Sequence, residues 1–285
     1  MGSDRYDLIV IGAGPAGQSA AEFAAWTGRR AVIVERAHPG GVVATTGGAP
    51  TKTLRETALA LKGRHDLDSV RPILRDRTLE VRARLESIVA AQIESRGIDL
   101  VRGDARLLPG RRVEVSAPDE TLIELAGESI LIATGSKPIH ISGVPFDDPD
   151  IYDSDEVYAL TRVPRDVAIV GGGAVGIEFA TVLGTLGIPV TVVHLSDRLL
   201  PGMDSEVVER LVAELEELGV RFALGSSVAS VKRSADRLIL TLSNGTTLEA
   251  DAVLFAAGRA ANVEGLGLDS AGVALTDRGS IAVDA

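Results

Sequence analysis

The 285-residue chain contains no cysteine. That absence excludes disulfide frameworks, cysteine-ligated zinc or iron–sulfur centres, and thiol nucleophiles. Aromatic residues are scarce, at 3%, which argues against a stacking surface for single-stranded nucleic acid. Cations are in the minority: 29 Lys and Arg face 40 Asp and Glu, a net charge of −11, so neither nucleic acid nor an anionic membrane is an expected partner. The four histidines show no metal-ligand spacing, and no metal is expected. No run approaches the ~18 consecutive apolar residues of a membrane-spanning helix. The N-terminal MGSDRYDLIVIG enters a strand at once, leaving no room for a secretory signal. A soluble, cytoplasmic chain is the expectation.

What is present is an ordinary globular composition, 45% hydrophobic and 24% charged, enough to build a buried core. A prior of ~150 residues per domain suggests two domains. The 31 glycines gather in a few clusters, and two of these are copies of each other. YDLIVIGAGPAGQSAAEFAAWTGRRAVIVE begins at Tyr6, and RDVAIVGGGAVGIEFATVLGTLGIPVTVVH begins at Arg165. Gly12, Gly14 and Gly17 fall on Gly171, Gly173 and Gly176, a constant offset of 159 residues that also carries Glu35 onto His194. Each copy reads as apolar run, glycine turn, apolar-periodic helix, apolar run: the start of a parallel βαβ unit carrying G-x-G-x-x-G. The first glycine makes the tight turn, the second lets the backbone approach a pyrophosphate, and the third lets helix and strand pack closely. The helix N-terminus then offers free N–H groups to the phosphates.

The copies differ where their ligands would differ. Glu35, at the end of the second strand, is placed to accept both hydroxyls of an adenosine ribose. His194 takes that place in the second copy and is followed by Arg198, so nothing repels a 2′-phosphate there. Contact of His194 and Arg198 with that phosphate would favour NADP(H); a partly buried strand-end histidine is the plainer alternative.

Between the copies lies a glycine loop, HPGGVVATTGGAPTK, then helices expected at about 50–62 and 78–96, short strands over 99–125, and a buried strand ESILIATG. Gly103-Asp104 reads as a turn. The acidic stretch 147–156 lacks EF-hand spacing and reads as a solvated linker, and the basic stretch 71–84 as a solvated helix face. After the second copy, a helix is expected from Asp204 to Leu218, then hairpins with an Asn244-Gly245 turn, and a tail of loop and short strand.

GG at 40–41, PTKTLR at 50–55, ATGSKP at 133–138, IYDSDEV at 151–157, AAGR at 256–259 and the tail DRGSIAVD, together with both fingerprints, carry a family resemblance over essentially the whole chain. It resembles the flavin-linked pyridine nucleotide–disulfide oxidoreductases, and among them the soluble pyridine nucleotide transhydrogenases, with dihydrolipoamide dehydrogenases as near neighbours. The resemblance implies an α/β fold of two Rossmann-like domains, the NAD(P) domain inserted in the FAD domain: 1–149 binding FAD, 150–261 binding NAD(P)H, and 262–285 opening the return to the FAD domain. It implies FAD contacts from Gly12, Gly14, Pro15, Ala16, Gly17, Glu35, Arg36, Gly40, Gly41, Thr134 and Gly135. For the nicotinamide nucleotide it implies Gly171, Gly173, Val175, Gly176, His194, Arg198 and Gly258. It also implies a catalytic pair, Lys52 and Glu178, between flavin and nicotinamide. Lys52 stands out independently, because a cation in the first turn of a helix opposes the helix dipole by about 0.3–1 kcal/mol.

Two departures qualify the resemblance. Disulfide-reducing members carry a C-x-x-x-x-C pair where this chain has Val43 and Gly48, so a dithiol relay is chemically excluded. A transhydrogenase does not need one, since its electrons arrive and leave as hydride. The family's second flavin segment, with its Gly-Asp, and its C-terminal interface domain are not found in these residues. A family-type homodimer is therefore not expected, and a fragment, a chain completed by a partner chain and a minimal relative all stay open. The expected activity is hydride transfer from NAD(P)H through FAD to NAD(P)+. The alternatives are a diaphorase or oxidase, or an inactive nucleotide-binding fragment.

Overall fold

The structure is a computed structural model that describes residues 5–64, 66–156 and 162–284. It divides into two compact units, one of Met1–Gly48, Arg82–Lys137 and Ala260–Ala285, the other of Ala49–Val81 and Pro138–Arg259. This differs from the expected boundaries chiefly by giving residues 49–81 and 138–149 to the second unit. The reason is packing: Leu54 and Ala58 belong to the same buried cluster as Ile177, Phe179 and Ala180. Val157, the last residue of the IYDSDEV motif, lies outside the described residues, as does His65.

In the first unit, β1 (Arg5–Ile11), β2 (Ala31–Glu35), β3 (Asp99–Arg102) and β6 (Leu122–Ile132) form a parallel sheet in the order β3-β2-β1-β6. The antiparallel strands β4 (Asp104–Leu108) and β5 (Arg112–Ser116) extend it, and a short strand β7 (Ser136–Pro138) follows β6 in the chain. Their apolar runs are continuous because both faces are covered. Val10 and Ile33 pack with Ala21 and Ala24 of α1 (Pro15–Trp26) on one face. Ile9, Val32 and Val34 pack with Leu107, Val113 and Val115 on the other. β5 covers β6 only from Leu122 to Ala126. From Glu128 to Ile132, β6 has β1 on one side and, among the described residues, no strand on the other.

The second unit repeats the plan. β8 (Ile151–Asp153), β9 (Val167–Val170), β10 (Val190–Val193), β11 (Val220–Ala223) and β15 (Ala252–Phe255) are all parallel, in the order β11-β10-β9-β15-β8. Here β8 pairs with β15 as a fifth parallel strand, where β6 has none among the described residues. Ile169, Val190, Val192 and Leu254 bury one face against α5 (Ala174–Thr185) and α6 (Ser205–Glu217). Val170, Val253 and Phe255 bury the other against an antiparallel sheet of β12 (Val228–Ser234), β13 (Arg237–Leu242) and β14 (Thr247–Ala250). The helix expected from Asp204 to Leu218 is α6, with those two residues as its caps: Asp204 accepts the Glu206 N–H at 2.9 Å.

Several local expectations are corrected. The glycine loop contains a short helix, α2 (Gly41–Thr45), and α3 (Ala49–Ala60) follows it directly. The helix expected from Thr78 is α4 (Leu67–Ser95), which starts earlier despite Pro72. Ahead of Pro72, the Ser69 hydroxyl donates to the Asp66 carbonyl at 2.9 Å at the helix start. Gly103-Asp104 is a strand junction, with Asp104 opening β4. The acidic stretch is no solvated linker: Asp150 and Asp153 are buried.

Asp150 belongs to an ion-pair network of the second unit. Asp251, 1% exposed, accepts the Arg165 N–H at 2.8 Å and bonds to the Arg162 and Arg165 guanidiniums. Arg162 and Arg233 also bind Asp150, each at 2.8 Å. Burial alone would raise the Asp251 pKa, but the Arg162 and Arg165 hydrogen bonds outweigh it and hold the carboxyl well below its usual range. Asp251→Ala is expected to cost about 2–4 kcal/mol, because two guanidiniums and a backbone N–H lose their common acceptor. A depressed carboxylate contributes stability that is full above its unfolded value near ~4 and is lost as pH falls below it. Urea midpoints measured from pH 6 to pH 3 should therefore fall for the wild type and fall less steeply for Asp251→Asn; equal slopes would remove Asp251 from the account.

Candidate functional site

Each unit places its glycine turn between a parallel strand and the N-terminus of the next helix. In the first unit, Gly12 has φ +108°, and a Cβ on it would lie 2.4 Å from the Ala133 carbonyl oxygen. Gly171 in the second unit has φ +120°, with the Ala256 carbonyl oxygen 2.2 Å from that position. A Cβ on Gly17 would stand 2.0 Å from the Gly12 carbonyl oxygen, and one on Gly176 would stand 1.9 Å from that of Gly171. These contacts bring helix against strand and aim the helix N-terminus at the turn. Gly14 and Gly173 occupy the N-cap positions of α1 and α5 with no side chain to satisfy the first-turn N–H groups, which leaves those groups to an anion. Pro15 and Ala16, and Val175 with Gly176, lie in the respective first turns.

The strand-end residues repeat as well. Glu35 accepts the Ala13 N–H at 2.7 Å and the Ala37 N–H at 2.8 Å. Such charge-assisted bonds are worth about 1.5–3 kcal/mol each, and the carboxylate still has lone pairs for ribose hydroxyls. His194 accepts the Gly172 N–H on Nδ1 at 3.1 Å. Residues 13 and 172 are equivalent in the repeat, so both side chains hold the same backbone N–H. Burial pushes the His194 pKa down, and its Nε2 is buried with no hydrogen-bond partner among the described residues. Arg198 donates to the Met203 carbonyl oxygen.

In the first unit, a cavity of about 290 Å³ opens at the sheet's C-terminal edge, lined among others by Gly12, Glu35, Arg36, Asp104, Thr134 and Asn262. Gly41 comes against Gly14: a Cβ on Gly41 would be 2.9 Å from the Gly14 Cα. The Gly40 N–H donates to the Ala13 carbonyl at 2.8 Å. These groups fit the adenosine diphosphate half of FAD: an acceptor for ribose, a backbone cradle that side chains would fill, and free helix N–H groups for pyrophosphate. Asp104 reads from the sequence only as part of a turn, and nothing in the sequence singles out Asn262. Asn262 donates to the Thr134 carbonyl at 3.3 Å, and its own N–H donates to the Gly135 carbonyl at 3.0 Å.

In the second unit, the Lys52 ammonium donates to Glu178 Oε1 at 2.7 Å. Lys52 lies in the first turn of α3 and Glu178 on α5. Both are exposed, Lys52 at 67% and Glu178 at 40% of their side chains. The Gly258 carbonyl accepts the Ile139 N–H at 3.1 Å, and the adjacent Arg259 grips Asp155 through two bonds of 2.8 and 3.1 Å. A dyad absent from the sequence reading lies nearby: His140 Nε2 is 2.9 Å from the buried Asp153 carboxylate, and its ring stacks on Phe146. Among the described residues no cluster of His, Asp or Glu has the makings of a metal site, and no helix is long and apolar enough to cross a membrane.

Comparison with known proteins identifies a family. The family described as pyridine nucleotide-disulphide oxidoreductase matches residues 6–285. A soluble pyridine nucleotide transhydrogenase of Mycobacterium bovis is 37% identical over 98% of this chain and 63% of its own length. That of Colwellia psychrerythraea is 31% identical over 98% of this chain and 62% of its own. Among solved structures, the Cu(II) complex of the HOCl-induced flavoprotein disulfide reductase RclA from Escherichia coli superposes with a TM-score of 0.89 at 27% identity, covering 99% of this chain and 63% of that one. LpdA from Mycobacterium tuberculosis gives 0.88 at 28% identity, covering 97% and 64%. The chain thus spans just under two thirds of the length of these relatives.

Proposed function

Because the chain belongs to the pyridine nucleotide-disulphide oxidoreductase family, we propose that it passes hydride from NAD(P)H through FAD to a second nicotinamide nucleotide, in the manner of a transhydrogenase and without a redox disulfide. The observation that carries this reading is the repeated turn. Two glycine fingerprints each have a strand-end side chain holding the same N–H, in a chain with no thiol to route electrons elsewhere. Bound FAD supplies a ring that accepts and returns hydride. The first unit holds it through Gly12, Gly14, Gly17, Glu35, Thr134 and the Gly40-Gly41 backbone. The second unit holds the nicotinamide nucleotide through Gly171, Gly173, Gly176 and the residues at 194 and 198. Lys52, fixed by Glu178, offers positive charge where the flavin becomes electron-rich and keeps the reacting ring oriented.

A second reading is favoured by one observation. Among the described residues, Ile130–Ile132 have no outer strand of the kind that β8 gives their counterparts in β15, and the relatives are longer than this chain. In that reading, FAD is retained only when a further segment completes the first unit.

The visible absorption spectrum of the purified protein, before and after anaerobic NADPH, separates the two. Near-stoichiometric flavin bands that bleach on reduction support hydride transfer by these residues. No bands after reconstitution with FAD would sink the first reading and leave the second. With flavin bound, steady-state patterns should run parallel in the two nucleotides; intersecting patterns would count against hydride passing through the flavin in alternate half-reactions.

A further inference from the structure

We propose that His38 is a positioning residue for FAD: its bond to Glu86 clasps segment 36–41 to α4, holds the Gly40-Gly41 backbone against the first glycine turn, and tightens when the imidazole is charged. The inference rests on the reading of the first unit as the flavin site.

The segment runs from the strand end at Glu35 to the start of α2, and it is tied on two sides. Towards β1 and β3 the ties reach its backbone. The Ala37 N–H donates to Glu35 at 2.8 Å, the Gly40 N–H donates to the Ala13 carbonyl at 2.8 Å, and Arg102 donates to the Ala37 carbonyl. Towards α4 there is close packing and one side-chain bond. A Cβ on Gly40 would stand 3.7 Å from Val89 Cγ2. One turn before Val89 on that helix, Glu86 Oε2 lies 3.0 Å from His38 Nδ1. Among the described residues, no other side chain of 36–41 bonds to another element. Pro39 is buried between His38 and Gly40, and its ring fixes φ, so a shift of His38 passes on to Gly40. Gly41 is pressed on the fingerprint, where its Cβ would be 2.9 Å from the Gly14 Cα. Lifting the segment from α4 therefore moves the backbone that completes the cradle.

Glu86 is prepared for this bond. Its side chain is 20% exposed, and Arg82, four residues earlier, donates Nε to its Oε1 at 2.8 Å. One oxygen is thus held by a cation of α4 and the other is turned to His38, which is 47% exposed. A neutral ring donates to that oxygen only in the tautomer with its proton on Nδ1. The charged ring always donates there and adds an opposite charge. The other charged groups on the elements packed around the pair are Arg36 on the segment, Arg102 on β3, and Glu22 on α1, which is engaged with Arg96 at 3.4 Å. None is a histidine, the side-chain type that changes charge between about pH 5 and 8.

The test follows release of FAD from the FAD-supplemented protein, as the rise of flavin fluorescence after dilution, between about pH 6 and about pH 8.5. The wild-type rate should rise about three- to tenfold across that range, the scale of one partly exposed charge-assisted bond. His38→Ala should fold, because the ring is half exposed, and should release FAD at the fast rate at both ends. His38→Arg keeps a cation beside Glu86 and should restore slow release at both. Hydrogen exchange of the Gly40 N–H, measured without flavin, should quicken in His38→Ala and not in His38→Arg. A wild-type rate flat in pH, a His38→Ala slope equal to that of the wild type, or a His38→Arg rate as fast as that of His38→Ala overturns the proposal and leaves the flavin reading standing. Failure to bind FAD at any pH overturns both.

Discussion

Replacing Lys52 by Met is expected to slow reduction of bound flavin by NADPH about 10²-fold, the usual cost of removing one preorganised charge from a reacting centre. The lysine does little for the fold. It lies in the first turn of α3, where its charge opposes the helix dipole. Its side chain is 67% exposed, and its 2.7 Å bond to Glu178 is a surface ion pair, worth about 0–1 kcal/mol at most. Methionine preserves the aliphatic length and the packing of the stem. Thermal stability should hardly change, so a loss of rate cannot be assigned to unfolding. Stopped-flow bleaching of the flavin measures the half-reaction directly. Glu178→Gln should slow it by a smaller factor, and the double variant should fall short of the product of the two singles, because residues acting as a unit are not additive. A Lys52→Met rate within threefold of wild type would make Lys52 a solvated surface lysine and leave the reading without its electrostatic group.

The parts of this fold that were legible beforehand are those encoded by local pattern. Sheets buried on both faces leave continuous Val/Ile/Leu runs, as at Leu8–Ile11 and Val167–Val170, and the glycine turns that follow are marked by spacing alone. α6 was readable from Asp204, whose capping oxygen is a property of the adjacent residues. What local pattern hides is partnership across the chain. Asp150 reads as linker because its arginines, Arg162 and Arg233, are brought to it by the sheet rather than by sequence proximity. Asp104 and Asn262 line the Glu35 cavity because β4 and the returning tail meet the ends of β1 and β2, a matter of topology that no motif announces. The assignment of residues 49–81 to the second unit was hidden for the same reason, since Leu54 and Ala58 look like any amphipathic helix until α5 is beside them. The His140–Asp153 dyad is hidden too, because the acidic stretch that holds Asp153 reads as a solvated linker.

Gly17→Ala is expected to abolish flavin retention, with an FAD dissociation constant raised more than about 10²-fold, while binding of NADP+ survives. Gly176→Ala should give the mirror image, a yellow protein that NADPH no longer bleaches. Each follows from a contact that cannot yield: a Cβ at Gly17 would sit 2.0 Å from the Gly12 carbonyl oxygen, and one at Gly176 would sit 1.9 Å from that of Gly171. Both obstacles are backbone, so the helix must withdraw from its strand by more than an ångström, carrying its N-terminal N–H groups away from where phosphate binds. Misplacement on that scale is costly at a site whose donors are fixed backbone groups. Gly28→Ala separates this from a general penalty on losing glycine. Gly28 has φ +76°, but nothing lies within 4 Å of its Cβ position, so alanine there carries about 1 kcal/mol of backbone strain and leaves both ligands bound. FAD fluorescence titration and calorimetry with NADP+ on the three variants give the pattern. If Gly17→Ala keeps its flavin and Gly176→Ala loses it, the assignment of the two units is reversed. If either substitution removes both ligands while the circular dichroism stays native, the turns do not serve separate sites. Only the crossed pattern requires two independent cradles, and only two cradles on one chain let hydride enter from one bound nucleotide and rest on another.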